Sequence, residues 1–148
     1  MYLKRFFVSV IFAVCLCASS GITASAETAS AYSLVDVASP FYDVADQAYS
    51  EIEIVGNKAD CVSRAYGDQI VKITVEQTLE KYSGWFWIWN NVDGASWTKT
   101  VNTNTIRLSN TKSGLSSGTY RLKSVFMLTS SSGKTETITI YSGEKKIG

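Results

Sequence analysis

From Tyr49 to Tyr141 apolar and polar residues alternate in short runs, the two-residue period of half-buried strands. No stretch sustains the 3.6-residue period of an amphipathic helix. Val71, Ile73, Val75 and Leu79 share one face of the clearest run, with Lys72, Thr74, Glu76 and Glu80 on the other. Gln77 falls on the apolar side and breaks the pattern. Further on, Tyr120, Leu122, Phe126 and Leu128 point one way, and Arg121 and Lys123 the other. The pattern predicts strands over Ser50–Val55, Lys58–Tyr66, Ile70–Lys81, Trp85–Val92, Ala95–Val101, Thr105–Leu108, Thr119–Thr129 and Thr135–Tyr141. Gly56-Asn57, Ser83-Gly84, Asp93-Gly94 and Ser132-Gly133 supply the turn residues between several of them.

Short strands at this spacing imply an all-β, two-sheet sandwich. The run Leu115-x-x-Gly118-Thr119-Tyr120 has the form of the corner that precedes strand F of immunoglobulin-like sandwiches. There a tyrosine hydroxyl bonds back to the backbone. The antibody disulfide is not expected, because Leu122 stands where the second cysteine would be.

The segment Trp85-Phe86-Trp87-Ile88-Trp89 alternates strictly. If Asp93-Gly94 closes a two-residue hairpin, Trp89 lies opposite Thr98, Trp87 opposite Thr100 and Trp85 opposite Asn102. Phe86, Ile88, Val92, Trp97 and Val101 then fall on the other face and are expected in the core. Three indoles side by side would expose on the order of 500 Å², near the upper end for a surface without a use. Trp85, Trp87, Trp89, Thr98, Thr100 and Asn102 are therefore the candidate ligand-binding residues. Aromatic platforms edged by hydroxyls and amides suit sugar rings. The competing reading buries the same tryptophans in the core or under the N-terminal segment.

The N-terminus changes how the rest is read. Lys4 and Arg5, the apolar run Phe6–Cys17 and the small-x-small triplet Ala24-Ser25-Ala26 form a signal peptide over 1–26, with cleavage expected before Glu27. Val14 and Leu16 precede Cys15 and Cys17, which argues against a lipid anchor. No second stretch approaches the roughly 20 apolar residues of a transmembrane helix. Residues 27–47, rich in Ala, Ser and Asp, read as a linker whose Pro40-Phe41-Tyr42 segment docks on the domain edge, and 48–148 as the sandwich domain. Without Lys4 and Arg5 the 14 basic residues fall to 12 against 13 acidic ones, so the net charge moves from +1 to −1. That balance offers no footprint for nucleic acid or an anionic membrane. Cys61 is left without an intramolecular partner and is expected as a small buried residue.

Catalytic chemistry is poorly represented. The chain has no histidine, which removes the usual triads, Cys–His pairs and imidazole metal sites. The carboxylate pairs Glu51/Glu53 and Glu76/Glu80 alternate with apolar residues and read as solvated strand faces, and Asp43/Asp46 lies in the linker. A glycosidase needs two carboxylates across a cleft, one in an apolar setting. Gly133-Lys134-Thr135 lacks the rest of a phosphate loop, and no acidic run has calcium-loop spacing. No enzyme, metal or cofactor is expected.

Pro40-Phe41-Tyr42, Ile54-Val55-Gly56-Asn57-Lys58-Ala59-Asp60-Cys61, Lys72-Ile73-Thr74-Val75, Leu79-Glu80-Lys81, Gly118-Thr119-Tyr120-Arg121-Leu122-Lys123, Ser132-Gly133-Lys134-Thr135-Glu136-Thr137-Ile138-Thr139 and Tyr141-Ser142 occur in this order. Together they resemble an uncharacterised family of small secreted Firmicutes proteins. The resemblance covers nearly the whole mature chain and implies an all-β domain of a Gram-positive secreted protein. It brings no catalytic residues. The aromatics around Trp85–Trp89 depart from it. The sequence thus points to a secreted, non-catalytic binding module for a glycan or a surface protein. The alternative is a structural protein in which the same strand or an open sheet edge joins copies.

Overall fold

The computed structural model describes residues 42–85 and 87–148. The expected signal peptide and cleavage site, most of the expected linker and Phe86 lie outside the described residues.

Among the described residues, eight strands form two antiparallel sheets. β1 (Gln47–Val55), β2 (Lys58–Tyr66) and β5 (Thr105–Lys112) make the first, in the order β1-β2-β5. β3 (Ile70–Ser83), β4 (Ile88–Val101), β6 (Gly118–Ser130) and β7 (Thr135–Tyr141) make the second, in the order β4-β3-β6-β7. The short β8 (Lys145–Ile147) pairs with the start of β6. The sheets pack as a sandwich with an immunoglobulin-like course. No described helix is long and apolar enough to cross a membrane.

Gly56 and Asn57 close the β1–β2 hairpin as their residue types predict, with Val55 opposite Lys58 and Gly56 at φ 62°. The Tyr120 corner also forms. Its hydroxyl donates to the Ser116 carbonyl at 2.7 Å while the ring is buried. Gly118 is required beside it. It takes φ 150°, a conformation that residues with a side chain rarely adopt, and Lys81 crosses it to donate to Ser116 Oγ at 2.7 Å.

Two apolar clusters fill the interior. One gathers Ile70, Ile73, Val75, Ile106, Phe126, Leu128 and Ile138, with Val44 and Ala45 from the segment before β1. That segment is pinned by Glu136, whose carboxylate accepts the backbone N–H groups of Asp43, Val44 and Ala45 at 2.9, 2.9 and 3.3 Å. The other gathers Ile52, Cys61, Leu79, Ala95, Leu115, Tyr120 and Leu122. Polar residues at the middle of the strands link the sheets. Gln77 Nε2 donates to Ser63 Oγ at 2.7 Å, and Asn110 Nδ2 donates to Gln77 Oε1 at 2.9 Å. Ser63 and Ser124 share a hydrogen bond of 2.6 Å, and Ser124 Oγ donates to Ser50 Oγ at 2.8 Å. Gln77, Ser63 and Ser124 are fully buried. The break that Gln77 makes in the apolar pattern is thus the centre of a satisfied network.

Several sequence expectations are corrected. A register shift between Ile70 and Lys72 turns Val71 outward, to 46% exposure, and puts Ile70 in the core. Ile88 is not core but 47% exposed, beside a turn. Val92, Trp97 and Val101 are half-buried against the clusters. Glu80 is not on a solvated face but 5% exposed and ion-paired. Asp93-Gly94 is not a hairpin turn. β4 runs through it, and both of its halves pair with β3.

Tyr120→Phe removes one buried hydrogen bond and should cost about 1–2 kcal/mol in urea denaturation. Burial, with the Asp60 charge adding to it, pushes the Cys61 thiol up to about 12 from 9.0. The folded state therefore holds its proton beyond the pH at which the unfolded chain releases it. The contribution to stability is intact below the unfolded value and lost as pH rises through the folded one. Native Cys61 should resist thiol reagents at pH 8, label only on unfolding, and add a decline in stability between about pH 9 and 12 that Cys61→Ala lacks.

Candidate functional site

The second sheet ends in the β3–β4 hairpin, with Ser83 opposite Ile88 and Tyr82 opposite Trp89. Gly84, Trp85, residue 86 and Trp87 make the connection. Trp85 is 90% exposed and Trp87 82%. Trp87 lies at φ 57°, the one non-glycine with positive φ among the described residues. That region costs an L-residue roughly 1–2 kcal/mol. A glycine would fit the turn with less strain and expose no indole. The position carries both a strained backbone and a solvated aromatic, a combination that clusters where function requires it.

The candidates are not brought together as the alternation predicts. Trp85 and Trp87 sit in the turn rather than on a strand. Trp89 alone is in β4, half-buried on the outer face. Its ring lies 5.3 Å from Tyr82, and the Arg121 guanidinium stacks 4.1 Å from Trp89 and 4.1 Å from Tyr141. Nε of Arg121 donates to Glu80 Oε2 at 2.7 Å. Trp89 is therefore one wall of an arginine sandwich and offers no open platform. Thr98 faces Glu76, and Thr100 shares a 2.9 Å hydroxyl contact with Thr74. Both lie on the far half of β4, and Asn102 is exposed just beyond it. None of the three pairs with a tryptophan.

The cause is a bulge. Thr78 pairs with Ser96 and Glu80 with Asn91, so Leu79 alone faces residues 92–95. Gly94 takes φ 64° there, and Ala95 turns fully inward. The Lys112 ammonium, from the opposite sheet, donates to the Asp93 carbonyl at 2.8 Å. The bulge and the loop before β6 enclose an open groove of about 550 Å³. Lys81, Asn90, Asn91, Asp93, Lys112 and Ser116 give it hydrogen-bonding walls, and Tyr82, Val92, Leu115 and Tyr120 give it apolar ones. Sequence reasoning missed this groove, because it depends on the four residues of β4 that have no partners of their own. Among the described residues no group of His, Cys, Asp and Glu could hold a metal ion.

Comparison with family models and with curated proteins finds no match. Among solved structures the chain is similar to wild-type OgpA from Akkermansia muciniphila in two crystal forms, at 12% identity and TM-scores of 0.36 and 0.37. These cover 70% and 75% of this chain and 30% and 32% of that one. It is similar also to catalytically inactive OgpA in complex with an O-glycopeptide substrate, at 12% identity and a TM-score of 0.36, over 76% of this chain and 34% of that one. The chain thus spans about a third of the length of those structures.

The two kinds of tryptophan should separate on mutation. Arg121→Ala leaves Glu80 buried without its cation and should cost about 3–5 kcal/mol in thermal or urea unfolding. Trp85→Ala should shift stability by no more than about 0.5 kcal/mol. Trp87→Gly relieves the left-handed strain and should be neutral or stabilising by up to about 1 kcal/mol.

Proposed function

We propose that this domain is a non-catalytic binding module of an exported protein, taking a glycan at the β3–β4 hairpin. One observation carries the reading: two solvated indoles, Trp85 and Trp87, are held at a turn where Trp87 adopts a backbone conformation that disfavours its own side chain. The groove supports the same reading. Its amides, ammonium groups and hydroxyls border the stem of the hairpin that carries the indoles, which suits a ligand with one C–H face and many hydroxyls. Export follows from the charged and apolar pattern of residues 4–17 and the triplet Ala24-Ser25-Ala26. The motifs shared with small secreted Firmicutes proteins fit that compartment.

Ile88 favours a second reading. With Trp85 and Trp87 it forms an exposed apolar apex that also suits a protein partner or a second copy of the chain.

Titration of intrinsic tryptophan fluorescence against a panel of neutral oligosaccharides, with mass in solution measured alongside, tests both. A saturable change in the wild type that Trp85→Ala/Trp87→Gly abolishes, at unchanged melting temperature and monomeric mass, is the expected result. No response to any glycan, together with a dimer that the same double variant dissociates, would replace the first reading with the second.

A further inference from the structure

The first sheet carries an unrelated feature on its outer face. Tyr49, Arg64 and Arg107 stand in one row across β1, β2 and β5, and Gln47, Tyr66 and Thr105 in the next. A concavity of about 190 Å³ opens along the two rows. Arg64 Nη1 donates to the Tyr49 hydroxyl at 3.3 Å, and its guanidinium lies 5.5 Å from that ring. Its Nε is buried with no partner. Arg107 is exposed and donates from Nε to Ser109 Oγ at 3.1 Å. Lys99, 3.0 Å from the Arg107 carbonyl, adds a third cation nearby.

Among the described residues neither arginine has a carboxylate in ion-pair range. The ion pairs there are Lys58–Asp60, Glu80–Arg121 and Asp43–Lys134. Like charges directly opposite on neighbouring strands destabilise the pair, and a buried donor without a partner adds to the cost. Stacking on Tyr49 gives Arg64 a packing role, and the Arg107 charge has none of that kind among the described residues. The repulsion falls if an anion sits between the guanidiniums.

We propose that Arg64 and Arg107 form an oxyanion-binding site, taking a carboxylate, sulfate or phosphate group between their planar forks with Tyr49 and Thr105 beside it. Guanidinium forks match such groups, and stacking on Tyr49 already holds Arg64 in place. The concavity is bounded by Arg64, Arg107, Tyr49 and Thr105, donors that suit one charged group. Acidic neighbours narrow the choice further. Tyr66 donates to Asp68, whose backbone N–H donates to Asp46 at 2.8 Å, and Glu51 lies on the same outer face of β1. These charges disfavour a dense polyanion and leave room for an isolated anionic group. The group is either a free inorganic ion or the charged substituent of a sparsely charged polysaccharide.

The test follows side-chain Nε–H resonances and thermal unfolding of the full mature chain. The probes are inorganic sulfate, inorganic phosphate and a galactose oligomer bearing a single galacturonate residue, with ionic strength matched by sodium chloride. Saturable shifts at Arg64 and Arg107, and a rise in melting temperature beyond the chloride control, are expected from at least one probe. Arg107→Gln should fold at least as well without anion, because the repulsion is gone, and bind roughly tenfold or more weakly. Arg107→Lys, which keeps the charge and loses the fork, should weaken binding less. A response to the inorganic ions alone assigns a free ion. A stronger response to the singly charged galactose oligomer, absent with a neutral galactose oligomer, assigns the polysaccharide. Equal responses of wild type and Arg107→Gln to every probe, or none in the wild type, would overturn the site.

Discussion

The fold turns on one buried glutamine. Gln77 sits at the middle of β3 with both ends of its amide engaged, one by Ser63 of β2 and the other by Asn110 of β5. Apolar side chains accept many relative positions at similar energy. An amide without water does not, because each unpaired donor or acceptor costs what a stabilising contact would gain. Ser63, Ser124 and Ser50 continue the chain across to β6 and β1, so five strands and both sheets share a single alignment. The two apolar clusters then need only the right bulk.

With the sheets aligned from within, the outer face of the second one is free to carry other devices. Arg121, stacked between Trp89 and Tyr141 and paired with Glu80, holds β3, β4, β6 and β7 together near the hairpin. The stem beneath Trp85 and Trp87 is therefore rigid, and a binding surface gains from such support because little ordering remains to be done when a ligand arrives. Trp89 belongs to the scaffold, although its sequence neighbours belong to the tip.

Strand positions and the Tyr120 corner are legible in the sequence because they depend on local period and on turn residues with one clear use. Gly56-Asn57 closes a hairpin as read. Asp93-Gly94 carries the same signal and serves another purpose. Its flanking segments find a better partner in the 14-residue β3 than in each other, and the glycine's left-handed conformation serves a bulge as well as a turn. Once that pairing is misread, every cross-strand neighbour of the tryptophans is misplaced. β8 is illegible for a different reason. Lys145-Lys146-Ile147 has too few apolar positions to show a period and forms only because β6 offers it an edge. Glu80 looks solvated until the stacked arginine arrives from a strand some forty residues away.

The bulge in β4 also bears on how this domain behaves when crowded. β4 is an outer strand, and a long flat strand in that place is a template on which other chains can add, the first step toward fibrils. Residues 92–95 leave the ladder and cut it into two short pieces, at 88–91 and 96–101. An incoming strand meets two short edges set out of register with one another in place of one long one. The irregularity that makes the groove also protects the molecule against its own copies.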